Sequence, residues 1–367
     1  MTRRERFVRA LTGQPVDRVP FIRLFGGDNA IVPQWEQEQP GIGNTIDEII
    51  RFDGPFRGWQ VPPVWLGPSQ LGEPELLEKT EDREILRYAD GSEVMVTTGG
   101  EDFHSQIIKW PVTSRADWER VKARHLDPDD PSRFPENWAD LVAEYRTRDY
   151  PLQATHRGVY GLPRILIGDV NLGYLFYDDP ALVHEIMEYC TDMTFTAWEK
   201  MLGQGVDFDL IEFWEDMASK NGSLVSPATF REFMTPHYRR VAEFARDHDI
   251  KVILVDSDGN IEGLTPLMLE AGVTALYPYE VQAGNDVAKM LDTYPTLGVI
   301  GGLDKNVMAR GKPEIDREME KARRLIRKGR FLPGPDHFVL SDVPLANYLY
   351  FMERLREVVM TTPPGAL

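Results

Sequence analysis

The acids of VDSDGN, residues 255–260, stand where the apolar run IKVIL ends. That run has the length and composition of a buried strand. Asp256 and Asp258 therefore fall one residue apart where strand gives way to loop, and on extended chain such positions point the same way. Asp256 shares parity with Val252 and Leu254 and is expected on the side they face. Two carboxylates so placed suit a metal ion or acid/base chemistry. Asp258-Gly259 and Asn260 equally suit a turn. The pattern recurs: predicted strands end at Glu215-Asp216, Asp256-Ser257-Asp258, Glu280, Gly301-Gly302-Leu303-Asp304 and Asp336-His337. Gathering such ends on one rim costs Coulomb energy unless a cation, a proton or basic side chains compensate. Asp216 and Asp304 read equally as N-caps. His337, flanked by Asp336 in PGPDHFVL, is the histidine best suited to chemistry, with His156 of ATHRG second. His104, His125, His184, His237 and His248 fall on predicted helices or in an insertion and read as structural or surface residues. Trp59, Trp65 and Tyr279 are candidates to line an apolar pocket, with plain aromatic packing as the alternative.

The elements that must position these residues follow from periodicity. Residues 1–12 read as a helix, 15–25 as a Pro-bounded stretch holding a short strand, and NTIDEIIRF as a helix ending before Asp53. Residues 55–135 are rich in Pro, Gly and Trp and read as an insertion or lid. Within it, REILRYADGSEVMVTTG has the form of a β-hairpin around Ala89-Asp90-Gly91-Ser92. From residue 150, apolar strands alternate with amphipathic helices through VDFDLIEFWED, IKVILVDSD, VTALYPYE, TLGVIGGLD and RFLPGPDH. Such alternation predicts an α/β fold with a parallel sheet covered by helices. Enough units are present for a (β/α)8 TIM barrel in a single domain over residues 1–367, if one or two lie in the first 150 residues. An open doubly wound sheet is the alternative, weakened because no Gly-x-Gly-x-x-Gly opens a helix. In a barrel, the acid-bearing strand ends share the rim where active sites sit.

Composition narrows the chemistry. The chain has 367 residues, 42% of them apolar, and a formal net charge of -18. That field repels nucleic acid and anionic membrane surfaces and is compatible with a small molecule or a cation as partner. The single cysteine, Cys190, falls in a helical pattern; a disulfide within the chain and a thiolate metal cluster are both excluded. No apolar run approaches the length of a membrane span, and MTRRERFVRAL lacks a signal core, so the cytoplasm is the expected compartment. DSDGNIEG opens like a calcium loop, but Ile261 stands where that loop needs glycine and Leu267 where it needs a bidentate Glu. A P-loop and a Gly-x-Ser-x-Gly elbow are also missing.

Five stretches, RERFVRALTGQPVDRVP, SPATFREFMTPHYRRV, ILVDSDGNIEGL, GVIGGLDKNVMARG and PDHFVLSDVPLANY, resemble in type and order the uroporphyrinogen decarboxylase superfamily. The resemblance spans nearly the whole chain. It implies a (β/α)8 barrel, either decarboxylase activity or zinc-dependent methyl transfer with a corrinoid protein, and a homodimer. Decarboxylases of the superfamily carry Arg-x-Pro-x-Trp-x-x-Arg-Gln-Ala-Gly-Arg near the start. Here RVPFIRLFGGD keeps Arg18 and Arg23 as substrate-binding candidates but lacks the Gln-Ala-Gly-Arg portion. Asp53 of IIRFDGP is the candidate for that branch's aspartate, and His337 falls at its histidine. The methyltransferases carry His-x-Cys where this chain has Asp256-Ser257-Asp258, and a later Cys where it has His337. The resemblance thus implies a divalent metal held by Asp256, Asp258 and His337, helped by Glu280 or Asp304. Such ligands suit Mg²⁺, Mn²⁺, Fe²⁺ or oxygen-ligated Zn²⁺ better than a thiolate site would. Glu215 and Asp216 complete the catalytic candidates, and His156 and Tyr279 the substrate-binding ones. The alternatives are a metal-free decarboxylase using His337 and Asp53, and a non-catalytic binding protein on an inherited barrel.

Overall fold

A computed structural model describes residues 1–25, 31–97 and 105–365; His104 and the Gly26-Gly27-Asp28 end of the N-terminal stretch lie outside the described residues. Twelve strands occur among the described residues. In chain order they are β1 (Glu75–Lys79), β2 (Arg83–Arg87), β3 (Glu93–Thr97), β4 (Gln106–Lys109), β5 (Gln153–His156), β6 (Leu210–Trp214), β7 (Ala218–Ser219), β8 (Gly222–Ser223), β9 (Val252–Asp256), β10 (Ala275–Tyr277), β11 (Gly298–Leu303) and β12 (Phe331–Pro335).

Strands β5, β6, β9, β10, β11 and β12 form one parallel sheet in which each strand lies beside the next one in the chain. Every residue of β9, β11 and β12 is buried, as expected of strands covered on both faces. The covering helices include Pro180–Gly203, Thr235–Asp247, Thr265–Glu270, Val287–Thr293, Lys312–Lys328 and Leu345–Thr361. Lys312–Lys328 shows why they pack: Ile315, Met319, Ala322, Leu325 and Ile326 recur at helical spacing, are all buried, and leave the charged residues outside.

Among the described residues the ladder has six strands and does not close into the expected ring of eight. The strand expected within residues 15–25 is missing because Pro15 and Pro20 lack donors, and the segment has no ladder neighbour. It is tied instead by single bonds: the Asp53 N–H donates to the Phe21 carbonyl and the Arg57 N–H to the Arg23 carbonyl. On the other side of the ladder, Gln60 makes one isolated parallel bridge to Leu152, ahead of β5. Strands β1–β4 form a separate antiparallel sheet, with β2 and β3 paired at Ile85 and Met95, and none of its strand residues is fully buried.

The C-terminal ends of the parallel strands are held by close backbone approaches. The Gly302 N–H donates to the Pro278 carbonyl at 3.1 Å. At Gly301, where φ is +96°, a Cβ would lie 2.2 Å from that carbonyl oxygen. Only glycine meets both demands. Gly301→Ala is expected to lower stability by about 1–3 kcal/mol, from overpacking and backbone strain together. Urea denaturation checks this; an unchanged midpoint would show that β10 and β11 separate freely here.

Candidate functional site

Strand β9 ends at Asp256, and the turn after it reaches Gly259 at φ +81°. Two-residue periodicity holds only while the backbone stays extended. The two aspartates of VDSDGN therefore diverge. Asp258 meets His337 and Glu280: the ligating atoms of these three side chains all lie within 4.8 Å of one another. His337 Nε2 is 3.2 Å from Asp258 Oδ2, and Glu280 Oε2 accepts from the Gly259 N–H at 2.8 Å. The three residues come from the ends of β9, β10 and β12. The His337 ring is stacked on Phe25, with centroids 5.4 Å apart.

Buried polar groups fix these ends. Asp336, fully buried, accepts from the Val281 N–H (2.8 Å) and the Lys305 N–H (3.0 Å), tying the loops after β10 and β11 to β12. Burial pushes its carboxyl up, and those two N–H bonds oppose the shift. Asn285 Nδ2 donates to the Gly259 and Glu280 carbonyls, while its Oδ1 accepts from the Ile261 N–H. Ser257 Oγ accepts from the Met217 N–H, and the Ser257 N–H donates to the Tyr277 carbonyl.

Asp256, expected among the metal ligands, points to a different neighbourhood. Its Oδ2 lies 3.8 Å from Arg57 Nη1, and the same nitrogen is 3.4 Å from Glu212 Oε1. Gln153 Nε2 donates to the other oxygen of Glu212. Burial, and then the Glu212 charge, push the Asp256 carboxyl well above the usual carboxylate range, against the pull of Arg57. Burial likewise raises Glu212. The Arg57 guanidinium lies over the Tyr277 ring at 5.1 Å, and the buried Tyr277 hydroxyl has no hydrogen-bond partner among the described residues.

The other candidates are placed as follows. Asp304 accepts from the Asn306 N–H two residues on, a turn bond and not a helix cap, and stands outside the three-residue group. Asp216 pairs with Arg164 at 2.9 Å and accepts a long bond, 3.4 Å, from the Asp258 N–H. Burial and the Asp258 charge raise its carboxyl, and Arg164 opposes them. Glu215 is fully buried and accepts from the Val159, Tyr160 and Gly161 N–H groups and the Tyr238 hydroxyl, so it anchors the loop after β5. Asp53 is engaged by Arg18 (2.9 Å) and the Phe21 N–H, and Arg23 by Asp47 (2.7 Å) and the Phe56 ring, so none of the three is free for a substrate in this arrangement. His156 packs on Phe213 and Trp198, and neither ring nitrogen has a hydrogen-bond partner among the described residues. Tyr279, at φ +61°, is fully buried, and the groups acting on it are Glu262, Asp286 and Tyr294, not the acids of the site. The tyrosine beside the acids is Tyr277. Cys190 is buried on Pro180–Gly203, its thiol pushed up to about 12 by desolvation.

Sequence reasoning overlooked Glu212, Arg57 and Tyr277. Glu212 did carry a signal, an acid inside the apolar strand LIEFW. Arg57 had none: it enters from the single turn Phe56–Gly58 with φ +61°.

The fold defines an α/β protein whose parallel strands bring two carboxylates and an imidazole together at their C-terminal ends. The family model described as "Uroporphyrinogen decarboxylase (URO-D)" matches residues 95–358, and the chain belongs to that family, whose members are enzymes. The chain is 22% identical over 359 residues to the methylcobamide:CoM methyltransferase MtbA of Methanosarcina acetivorans, with 96% of this chain and 97% of that one covered. The protein of the same name from Methanosarcina mazei is 20% identical over 322 residues, covering 85% and 86%. A solved methyltransferase from Methanosarcina mazei superposes with a TM-score of 0.61 at 16% identity, covering 97% of this chain and 99% of that one, which shows a shared fold.

The buried His156 yields a pH prediction. Its pKa is lowered from 6.5 to about 3, chiefly by desolvation, so the folded state keeps it neutral. Below pH 6.5 the unfolded chain takes up a proton that the folded chain refuses. The contribution of His156 is thus full above about pH 6.5 and is lost as the pH falls toward about 3. His156→Phe, which preserves the ring packing, is expected to flatten the decline of Tm between pH 6.5 and 4. An unchanged slope would place the acid sensitivity elsewhere.

Proposed function

We propose that this protein is a metal-assisted methyltransferase acting on a small molecule. The observation that carries the reading is the convergence of Asp258, Glu280 and His337 from three strand ends. Two carboxylate oxygens and one imidazole nitrogen fit a divalent cation such as Mn²⁺, Fe²⁺, Mg²⁺ or oxygen-ligated Zn²⁺. The absence of thiolate ligands sets this group apart from a sulfur site: the single cysteine is buried in a helix. Methyl transfer is the reaction supported by the two relatives named methylcobamide:CoM methyltransferase. On this reading the methyl group passes to or from a methylcobamide carried by a partner protein.

A cation held by the three side chains supplies Lewis acidity to a heteroatom of the substrate. The rest is done by the chain. Asp336 and Asn285 hold the strand ends in register, so that the three side chains need not reorganise to bind. Asp256 and Glu212, sharing Arg57, form a neighbouring polar group. The Tyr277 hydroxyl beside it has no partner among the described residues and is available to orient a bound polar group.

The test is metal analysis of the purified protein after incubation with each cation. Wild type and Asp256→Ala are expected to hold about one equivalent, while Asp258→Ala and His337→Ala lose at least about 90% of it. Retention by Asp258→Ala, or loss by Asp256→Ala alone, would overturn the assignment. Release of CO2 from a carboxylated substrate, unaffected by a chelator, would transfer the reading to a metal-free decarboxylase.

A further inference from the structure

Arg157 follows β5 directly at the same edge of the sheet. Its guanidinium carbon lies 4.5 Å from the centroid of the Trp214 ring and 5.2 Å from that of Trp65. Among the described residues it has no ion pair and no hydrogen-bond partner, and its Nε is buried without one. Burial disfavours its charge; the Glu212 charge offsets part of this, and the neighbouring Arg164 adds to the cost. A half-buried arginine with no directly paired carboxylate among the described residues is unusual in a chain of net charge -18. The nearby Arg164, over the same indole at 5.5 Å, already has its partner in Asp216.

The surroundings of Arg157 are built. Gly158 has φ +87°, and a Cβ there would lie 2.2 Å from the Trp214 carbonyl oxygen, so the chain after Arg157 is pressed against the end of β6. The next three N–H groups are held by buried Glu215. On the other side, Trp65 Nε1 donates to the Pro68 carbonyl at 2.7 Å. Buried Arg133 donates to the carbonyls of Trp65 and Gly67, both at 2.9 Å. The Trp65 indole, though partly exposed, is thus tied to its own loop, and Trp214 is carried on the end of β6. The site connects to the three-residue group through Trp214, Arg164, Asp216 and Asp258.

We propose that Arg157, flanked by Trp65 and Trp214, receives the carboxylate of a small-molecule substrate whose reacting heteroatom lies toward Asp258, Glu280 and His337. Aromatic neighbours leave the planar edge of a guanidinium as its free hydrogen-bonding surface, and that edge matches a carboxylate in bidentate fashion. One guanidinium neutralises a carboxylate but leaves a phosphate dianion with a net negative charge, which is disfavoured in a chain of net charge -18. The proposal deepens the methyltransferase reading by giving its substrate an acidic end. The position of that end relative to the metal rests on that reading; the anion site does not.

The experiment is a titration of intrinsic tryptophan fluorescence in chelator-treated protein, with benzoate, benzamide and inorganic phosphate as probes. Benzoate is expected to give a saturable change, with benzamide and phosphate binding at least about tenfold more weakly. Arg157→Met should weaken benzoate at least about tenfold. Arg157→Lys, which keeps the charge but not the fork, should fall between the two. Arg246→Met, at an exposed arginine, should match wild type. Each variant is accepted only with a Tm near that of wild type; Arg157→Lys provides the test if Arg157→Met does not fold. No benzoate binding, equal binding of benzamide or phosphate, or indifference to both Arg157 variants would overturn the proposal. Since the assay contains no metal, loss of the metal assignment leaves its outcome readable, and the reverse also holds.

Discussion

Negative charge at the ends of buried parallel strands is the constraint around which this structure is arranged. A carboxylate removed from water needs dedicated donors, a cation or a proton. Each strand end meets that need differently. Glu215 collects three backbone N–H groups and a phenol, and Asp336 collects two N–H groups from neighbouring loops. Asp216 has Arg164, and Asp256 shares Arg57 with Glu212. Asp258, Glu280 and His337 are left facing one another. Among the described residues no lysine or arginine is paired with either carboxylate, so the proposed cation site is a part of the rim without a permanently charged basic partner.

The acids that look structural also support the proposed cation group. Asp336 and Glu215 both tie loops to strand ends, so their hydrogen bonds restrict the backbone on which the functional side chains ride. A site whose supports are already in place loses less free energy to reorganisation when it binds. The same support reaches outward: the loop held by Glu215 begins directly after Arg157, and buried Arg133 fixes the loop that carries Trp65. Anchoring of charge in the interior and presentation of charge at the rim are, in this molecule, served by the same residues.

The sequence determined much of this. Apolar strands alternating with amphipathic helices specified the parallel α/β sheet, because strand and helix periods are local properties of the chain. The acids at the strand ends were legible for the same reason, as were His337 beside Asp336 and the burial of Cys190. What the sequence did not determine is where each side chain goes once the backbone leaves the strand. Asp256 and Asp258 read as a pair, yet a turn with Gly259 at φ +81° sends them to different partners. Tyr279 read as pocket-lining, yet Tyr277 is the tyrosine beside the acids. Arg57 and Trp65 lie on segments with no period to read, and Arg157 and Trp214 stand at strand ends whose spatial neighbours no local pattern names. Their meeting, like the closure that stopped at six strands, depends on contacts between residues far apart in the chain, and only the tertiary structure decides those.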